Sequence, residues 1–221
     1  MNFLDLCREL RQESGLSGDG PSAVTGQSGM SKKIVDWINS SVYDLESCRD
    51  NWAWMWRTGS ITTTVGQQSY DLPSLGFDAN KIVAESLSIE RTGEPNTITQ
   101  FELVSWDIYR EKTAFRTANP GQPVFCALAP NDYLYVDTLP DRSYTIKFEW
   151  YRKPAYLSTN TDTPTIPVQF HRILIEMGLM KYAAHDGATE TYQASNKEYM
   201  KWLRRMEASQ LPVVEVVSTL A

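Results

Sequence analysis

The chain has 221 residues, of which 42% are hydrophobic and 22% are charged, and its formal net charge is −6. This composition is typical of a folded globular protein, and no apolar run approaches the roughly 18 residues that a membrane-spanning helix requires. The acidic balance argues against a protein that holds DNA through its phosphates. The first residues carry acids and lack a signal-peptide apolar core, so we expect synthesis and use in a cytosol.

The first predicted element is a short amphipathic helix over residues 2–13, where apolar residues recur three or four positions apart. Residues 14–31 contain five glycines and predict a mobile or partner-ordered surface loop. This loop lacks the Gly-Lys-Ser/Thr sequence of a phosphate-binding loop and follows a helix instead of a strand, which disfavours a nucleotide site.

A long helix is predicted over residues 31–56, because one apolar stripe continues through the whole stretch. The stripe consists of Ile34, Ile38, Val42, Leu45, Cys48, Trp52 and Trp56. The Trp-rich residues 52–56 are interpreted as a helix end that packs onto a β domain through its large apolar area. A platform on which sugar rings stack is the functional alternative.

The β region begins with a predicted hairpin. The β-branched residues 61–65 favour a strand, and Gly66 with the two glutamines after it can turn the chain. Residues 69–72 can then return beside the first strand, until Pro73 ends the pairing.

Further strands are predicted over residues 81–90, 133–136 and 144–151, the last with the clearest two-residue period in the chain. Short strands separated by turns predict an antiparallel sandwich or a barrel-like sheet.

A short helix is expected within the β region, over residues 104–112. Its apolar side chains predict that Val104, Ile108 and Trp106 face inward.

Two helices are predicted at residues 168–186 and 189–208, and their short connection predicts an antiparallel helical hairpin. Pro212 then ends the helix and frees an apolar tail. A valine-rich strand is an aggregation hazard unless something pairs with it, and strand addition to another chain is a common solution. We therefore predict a docking arm whose partner-binding residues are Leu211, Val213, Val214, Val216, Val217 and Leu220. The alternative is that the tail folds back onto its own β domain as an edge strand.

These elements predict an α+β fold, in which a helical bundle carries an inserted antiparallel β domain and an extended C-terminal arm. The predicted domains are the N-terminal helices with the Gly-rich loop (1–57), the β domain (58–165), the C-terminal helical hairpin (166–209) and the docking arm (210–221). The middle region is acidic, because residues 58–167 hold 9 basic and 13 acidic side chains, a balance of −4.

No catalytic, cofactor or metal site is predicted. His171 and His185 lie nearly four helical turns apart, about 21 Å, so they cannot share a metal ion within one helix. The acids of the β region are interpreted as a solvated face, with a glycosidase-like carboxylate pair as the alternative: Glu85, Glu90, Glu102, Asp107 and Glu111. The three cysteines, Cys7, Cys48 and Cys126, are interpreted as buried free thiols.

Seven stretches follow one another in a characteristic order: Asp36-Trp-Ile-Asn39, Trp52-Ala-Trp54, Gly66-Gln-Gln-Ser-Tyr-Asp-Leu-Pro73, Gly121-Gln-Pro123, Leu139-Pro-Asp141, residues 144–154, and Ile166-Pro-Val-Gln-Phe-His171 before two helices. Their order and spacing over residues 30–208 resemble the head-to-tail adaptor (head-completion or connector) proteins of tailed bacteriophages. The stretches resemble the adaptors that lie under the portal, including the DNA-stabilising adaptor of short-tailed phages.

The resemblance implies a structural virion protein without catalysis or cofactor, assembled in the host cytoplasm and located at the head-tail junction. It implies a ring of about twelve copies below the portal, which seals the DNA-filled capsid and offers the tail an attachment surface. The implied partners are the portal protein, tail or second adaptor proteins and other copies of the chain. DNA would pass through the channel without specific binding, no membrane would be involved, and residues 211–220 would dock on the portal or on a neighbouring subunit.

Two other functions are compatible with the sequence. One is a different virion structural protein, such as a tail-completion or baseplate component, which its position in the particle would distinguish. The other is a carbohydrate-binding or hydrolytic virion domain, which would retain a glycan and would not assemble into a closed ring.

Overall fold

A computed structural model of the chain describes residues 1–212, except residue 19 and residues 115–118. It contains two compact units, here named the helical unit and the β unit. The helical unit comprises Met1–Met55 and Pro154–Ala221, and the β unit comprises Trp56–Lys153.

The described residues contain five α-helices: α1 (Phe3–Glu13), α2 (Gly29–Ser47), α3 (Trp106–Thr113), α4 (Arg172–Asp186) and α5 (Thr189–Gln210). Short 3-10 helices cover Ala53–Met55, Pro73–Leu75, Ala84–Ser86 and Val168–Phe170. Four of the α-helices confirm the predicted segments near both ends of the chain and inside the β region, although the first predicted turn of α4 is a 3-10 helix.

The second helix ends at Ser47, so the predicted continuation to residue 56 is wrong. Trp52 is nevertheless fully buried, and its indole Nε1 donates to the carbonyl oxygen of Leu45 at 3.0 Å. The chain therefore leaves the helix and returns its largest apolar side chain to the same core, because burial of the indole outweighs continuation of the helix. Cys48 at the helix end is exposed, whereas Cys7 and Cys126 are the buried free thiols that were predicted.

The helix α4 lies at the centre of the helical unit, where it packs against α1, α2 and α5. Eight of its residues are buried: Ile173, Leu174, Ile175, Glu176, Met177, Gly178, Leu179 and Ala183. At Gly178 a Cβ atom would lie only 2.7 Å from a methyl carbon of Leu10 and 3.4 Å from one of Ile38. The absence of a side chain at this position thus permits the close approach of three helices.

Two polar side chains of α2 hold the connecting segment that enters α4. The amide group of Asn39 donates to the Leu157 carbonyl at 2.9 Å and accepts from the Leu157 N–H at 2.8 Å. The buried carboxylate of Glu46 accepts from the N–H of Ala155 at 3.1 Å and from Oγ1 of Thr165 at 2.9 Å. These bonds compensate the cost of burying backbone polar groups outside regular secondary structure.

The β unit contains eleven strands among its described residues: β1 (Trp56–Thr62), β2 (Ser69–Asp71), β3 (Ala79–Ile82), β4 (Ser88–Arg91), β5 (Glu94–Gln100), β6 (Glu102–Leu103), β7 (Pro120–Gly121), β8 (Phe125–Leu128), β9 (Tyr133–Val136), β10 (Leu139–Pro140) and β11 (Tyr144–Arg152). One sheet has the order β1-β11-β4-β5, with β3 also paired to β11, and a second has the order β2-β9-β8-β6. The pairs β6–β8 and β7–β10 are parallel, so the expectation of a purely antiparallel domain is wrong for these short pairs.

The strand β11 organises the first sheet and confirms the two-residue period of the sequence. Tyr144, Ile146, Phe148 and Trp150 are all buried, whereas the side chains between them are more accessible. Because alternate residues of a strand point to opposite faces, one face of β11 contributes to the core of the β unit.

The predicted hairpin of residues 61–72 is wrong. Ile61 lies opposite Ile146 of β11, whereas Tyr70 lies opposite Leu134 of β9, so the two segments belong to different sheets. Pairing with β11 forms a seven-residue ladder and buries Ile61, and a local hairpin would have had only four partners.

Two further details of the β unit differ from the sequence prediction. The strand predicted at residues 81–90 is two strands, β3 and β4, separated by a 3-10 helix. In α3, Ile108 is 44% exposed and Tyr109 is the buried residue, so the predicted inward orientation of Ile108 is wrong. The Tyr109 hydroxyl donates to the carbonyl of Val136 at 3.0 Å, which gives the buried ring a polar partner.

Candidate interaction surfaces

The predicted docking arm begins at the end of α5. Leu211 has an extended backbone and its N–H still donates to the carbonyl of Glu207 at 3.1 Å, which marks the last turn of the helix. Val213, Val214, Val216, Val217 and Leu220 lie outside the described residues. The arm therefore stays a prediction.

The Gly-rich loop between α1 and α2 is attached to the helical unit by several hydrogen bonds, one of which runs from the guanidinium of Arg11 to the carbonyl of Ser17. Arg8 of α1 donates through Nε to the carbonyl of Pro21 at 3.3 Å. The N–H of Val24 donates to the side-chain oxygen of Asn160 at 2.8 Å, and both Pro21 and Val24 are buried. The described part of this loop thus has an anchored centre, and its role in binding a partner stays a prediction.

Trp52, the first residue of the Trp-rich segment, is not accessible for the stacking of a sugar ring. Trp52 is fully buried and stacks on Trp54 with ring centroids 4.4 Å apart. Trp56 is 39% exposed, but its Nε1 donates to the carboxylate of Glu149 at 3.0 Å. Sugar binding requires an open aromatic face, so Trp52 is excluded from that role.

A groove of about 450 Å³ runs along the edge of the β unit formed by β1. One wall consists of Ser60, Ile61 and Thr62 of β1. The other wall is formed by β2 and the turn after it, including the half-exposed Leu75 and the ring of Phe77. Both walls combine apolar and polar side chains, since Asp71 and Ser74 lie beside Leu75, and the groove is open to solvent.

The histidine and the acids that were considered as catalytic or metal-binding residues have structural contacts or lie exposed. His171 is buried, its Nε2 donates to the carbonyl of Ile166 at 2.9 Å, and burial lowers its pKa, which favours the neutral imidazole. Of the five acids of the β region, Glu90 forms an ion pair with Lys147 at 2.9 Å, and Asp107 forms one with Arg110. All except Glu90 are exposed: Glu85, Glu102, Asp107 and Glu111.

The buried thiols are likewise poor nucleophiles, because burial raises the pKa of Cys7 to about 12 and also raises the pKa of Cys126. Within the described ranges, no group of three His, Cys, Asp or Glu side chains is placed to bind a metal ion. None of the helices that the structure describes has both the length and the apolarity of a bilayer-crossing segment.

The family of the chain follows from comparison with known proteins. The model of the family described as SU10 adaptor protein matches residues 1–215. No curated protein matches the chain. The family match supports the resemblance to phage head-to-tail adaptors, whereas the finer comparison with the DNA-stabilising adaptor of short-tailed phages stays a prediction. Because the match covers nearly the whole sequence, the chain belongs to the SU10 adaptor protein family and is a structural adaptor protein of a bacteriophage, located at the head-tail junction of the virion.

Proposed function

We propose that the chain forms a ring below the portal, closes the DNA-filled capsid and provides the surface to which the tail attaches. The observation that carries this proposal is the family match over residues 1–215. The proposed partners are the portal protein, a tail or second adaptor protein, and other copies of the chain, about twelve in a cyclic ring. The proposed organisation is a helical bundle with an inserted β domain and a C-terminal docking arm, related to the adaptors of short-tailed phages.

The test of the proposed position is an image of the intact particle at a resolution that identifies this chain. We expect closed rings of the chain in contact with the portal on one side and with a tail component on the other. Density for the chain at the baseplate or at the far end of the tail would overturn the proposal in favour of another virion component.

The docking arm is proposed to attach each subunit to the portal or to a neighbour. Burial of its four valine side chains would contribute about 6–10 kcal/mol, at about 1.5–2.5 kcal/mol each. Ordering of about ten residues costs a comparable free energy, so one arm alone would bind weakly. Several arms of one ring would bind tightly together, because after the first arm has bound, each further arm binds at a high effective concentration.

Removal of residues 210–221 is expected to abolish attachment to the portal or assembly of the chain into its own ring, and to leave the melting temperature nearly unchanged. The reason is that Pro212 separates the tail from α5, so the helical unit does not need the tail for its described contacts. Circular dichroism measures the melting temperature, and co-sedimentation with portal-containing heads measures attachment. A chain with all four valines replaced by serine is the length-matched control and should behave like the deletion. Loss of the folded protein would instead show that the tail belongs to the core.

The acidic balance predicts that DNA moves past the ring without being held. Residues 58–167 carry −4 and the whole chain carries −6. Fixed Lys and Arg contacts would bind DNA through counterion release, whereas a neutral or acidic surface repels it at short range. We expect no duplex binding by the purified protein at about 150 mM salt in an electrophoretic or anisotropy assay. Tight binding that weakens steeply as salt is raised would contradict this expectation.

A further inference from the structure

The strand β1 is an edge strand with unpaired backbone groups along one side. Its pairing with β11 includes the bond from the Thr63 N–H to the Tyr144 carbonyl, at 2.7 Å. In an antiparallel ladder every second residue exchanges such bonds with its partner. By this register, Thr58, Ser60 and Thr62 direct their N–H and C=O groups away from β11. These groups are a template for another strand.

From Thr58 onward, the edge of β1 lacks the features by which proteins usually prevent such pairing. The eight residues 58–65 contain neither a charged residue nor a proline. The opposite edge of the same sheet is β5, which carries Glu94 and Pro95. Charges and prolines block edge-to-edge association, so β5 is protected, whereas β1 carries one charged residue, Arg57, before its uncharged part from Thr58 onward.

The groove beside β1 fits an extended segment in which apolar and polar side chains alternate. Its apolar lining consists of Ile61 on one wall and of Phe77 and Leu75 on the other, the last 51% exposed, and Asp71 is a charged residue of the same lining. The ring of Phe77 lies so close over Gly59 that a Cβ atom there would be 2.5 Å from it. A strand added to β1 would place every second side chain against this apolar lining and the others beside the hydroxyls of Ser60 and Thr62.

We propose that the groove beside β1 receives the C-terminal segment, residues 213–221, of a second copy of this chain. The segment has nine residues and four valines, so an extended form spans about 30 Å, enough to cover the seven residues of β1. In the pairing that suits the groove, Val214 and Val216 meet the apolar lining and Glu215 points to solvent.

The choice of a second copy rests on the proposed ring. Each subunit of a ring has one groove and one C-terminal segment. If each segment binds the groove of the next subunit, every β1 edge is paired and the cyclic symmetry closes the ring.

The test uses a fluorescent synthetic peptide of residues 210–221 and the full-length chain, at a dilution where the chain is monomeric. We expect saturable binding that Leu75→Glu weakens by about tenfold or more, because a charge would be buried against an apolar strand. Ile98→Glu is the matched control, since Ile98 is 52% exposed on the protected edge strand β5, and it should leave binding unchanged. Ser60→Pro, which removes one outward N–H, should also weaken binding.

Peptide variants test the pairing itself. Replacement of Val214 and Val216 by serine should weaken the peptide more than replacement of Val213 and Val217. Absence of saturable binding, or equal effects of Leu75→Glu and Ile98→Glu, would overturn the inference. A chain with serine at positions 214 and 216 that binds the peptide far better than the unaltered chain would show that the segment occupies the groove of its own chain.

The inference and the proposed function fail in different ways. If the Leu75→Glu chain still forms rings on the portal and binds the peptide normally, the inferred groove is wrong and the adaptor ring stands. If the peptide binds as expected but the particle image places the chain away from the portal, the pairing stands and the proposed function is wrong.

Discussion

Trp52→Ala is expected to lower the free energy of unfolding of the helical unit by about 4 kcal/mol, the range typical of a large aromatic truncation in a core. The indole is fully buried, stacks on Trp54 and donates to the carbonyl of Leu45. Truncation leaves a cavity and also removes the hydrogen-bond donor to that carbonyl. Both changes lower the free energy of unfolding.

Urea denaturation followed by circular dichroism measures this change, and two variants separate its causes. Trp52→Phe keeps most of the apolar area but loses the Nε1 donor, so it should cost less than the alanine variant. Trp56→Ala removes a residue of the same type that is 39% exposed, and it should cost about 1 kcal/mol or less. Equal effects at positions 52 and 56 would contradict the description of Trp52 as the anchor of this segment.

Gly178→Val is expected to destabilise the helical unit by about 3 kcal/mol, because it overfills a site where three helices meet. The new Cβ atom would lie 2.7 Å from a methyl carbon of Leu10, which is itself fully buried, and 3.4 Å from one of Ile38. Valine is a better helix former than glycine by a few tenths of a kcal/mol, which is too little to offset the steric cost.

A double-mutant cycle with Leu10→Ala tests the steric cause. Leu10→Ala alone should destabilise through a cavity, and the double variant should lose less than the sum of the single losses, with a coupling of about 1–2 kcal/mol. Ala184→Val on the exposed face of α4 is the control for helix propensity and should cost about 0.5 kcal/mol. Additive losses in the cycle would show that Gly178 and Leu10 are not in contact.

The parts of the fold that were predictable are those encoded by neighbours in the sequence. The stripe of α1, the alternation of β11 and the short connection before α5 each depend on residues a few positions apart. Helical and strand periods leave this signature in the sequence, because each side chain must reach one face of its own element. The family resemblance belongs to the same category, since the order of short local stretches carries it.

The sequence predicted the binding segment of the candidate site but not the groove that we propose to receive it. The valine-rich segment after Pro212 indicates a docking element by composition. The groove that we propose as its receptor was missed, because Ile61 and Thr62 were assigned to a hairpin that would have covered part of that edge. The absence of charge and proline over residues 58–65 was the signal that could have identified an open edge strand.

The sequence by itself determined the helices α1, α3, α4 and α5, the strand β11, the acidic balance and the apolar composition of residues 213–221. Only the tertiary structure decided that Ile61 pairs with Ile146, that Trp52 returns to α2 beyond the helix end, and that Gly178 lies where three helices meet. The physical reason is that a segment's own period sets its type, whereas its partner is the distant segment that buries the most apolar area with paired hydrogen bonds. A short stretch of sequence does not contain the information needed to compare distant partners. The same competition among partners places β1 at the edge of its sheet.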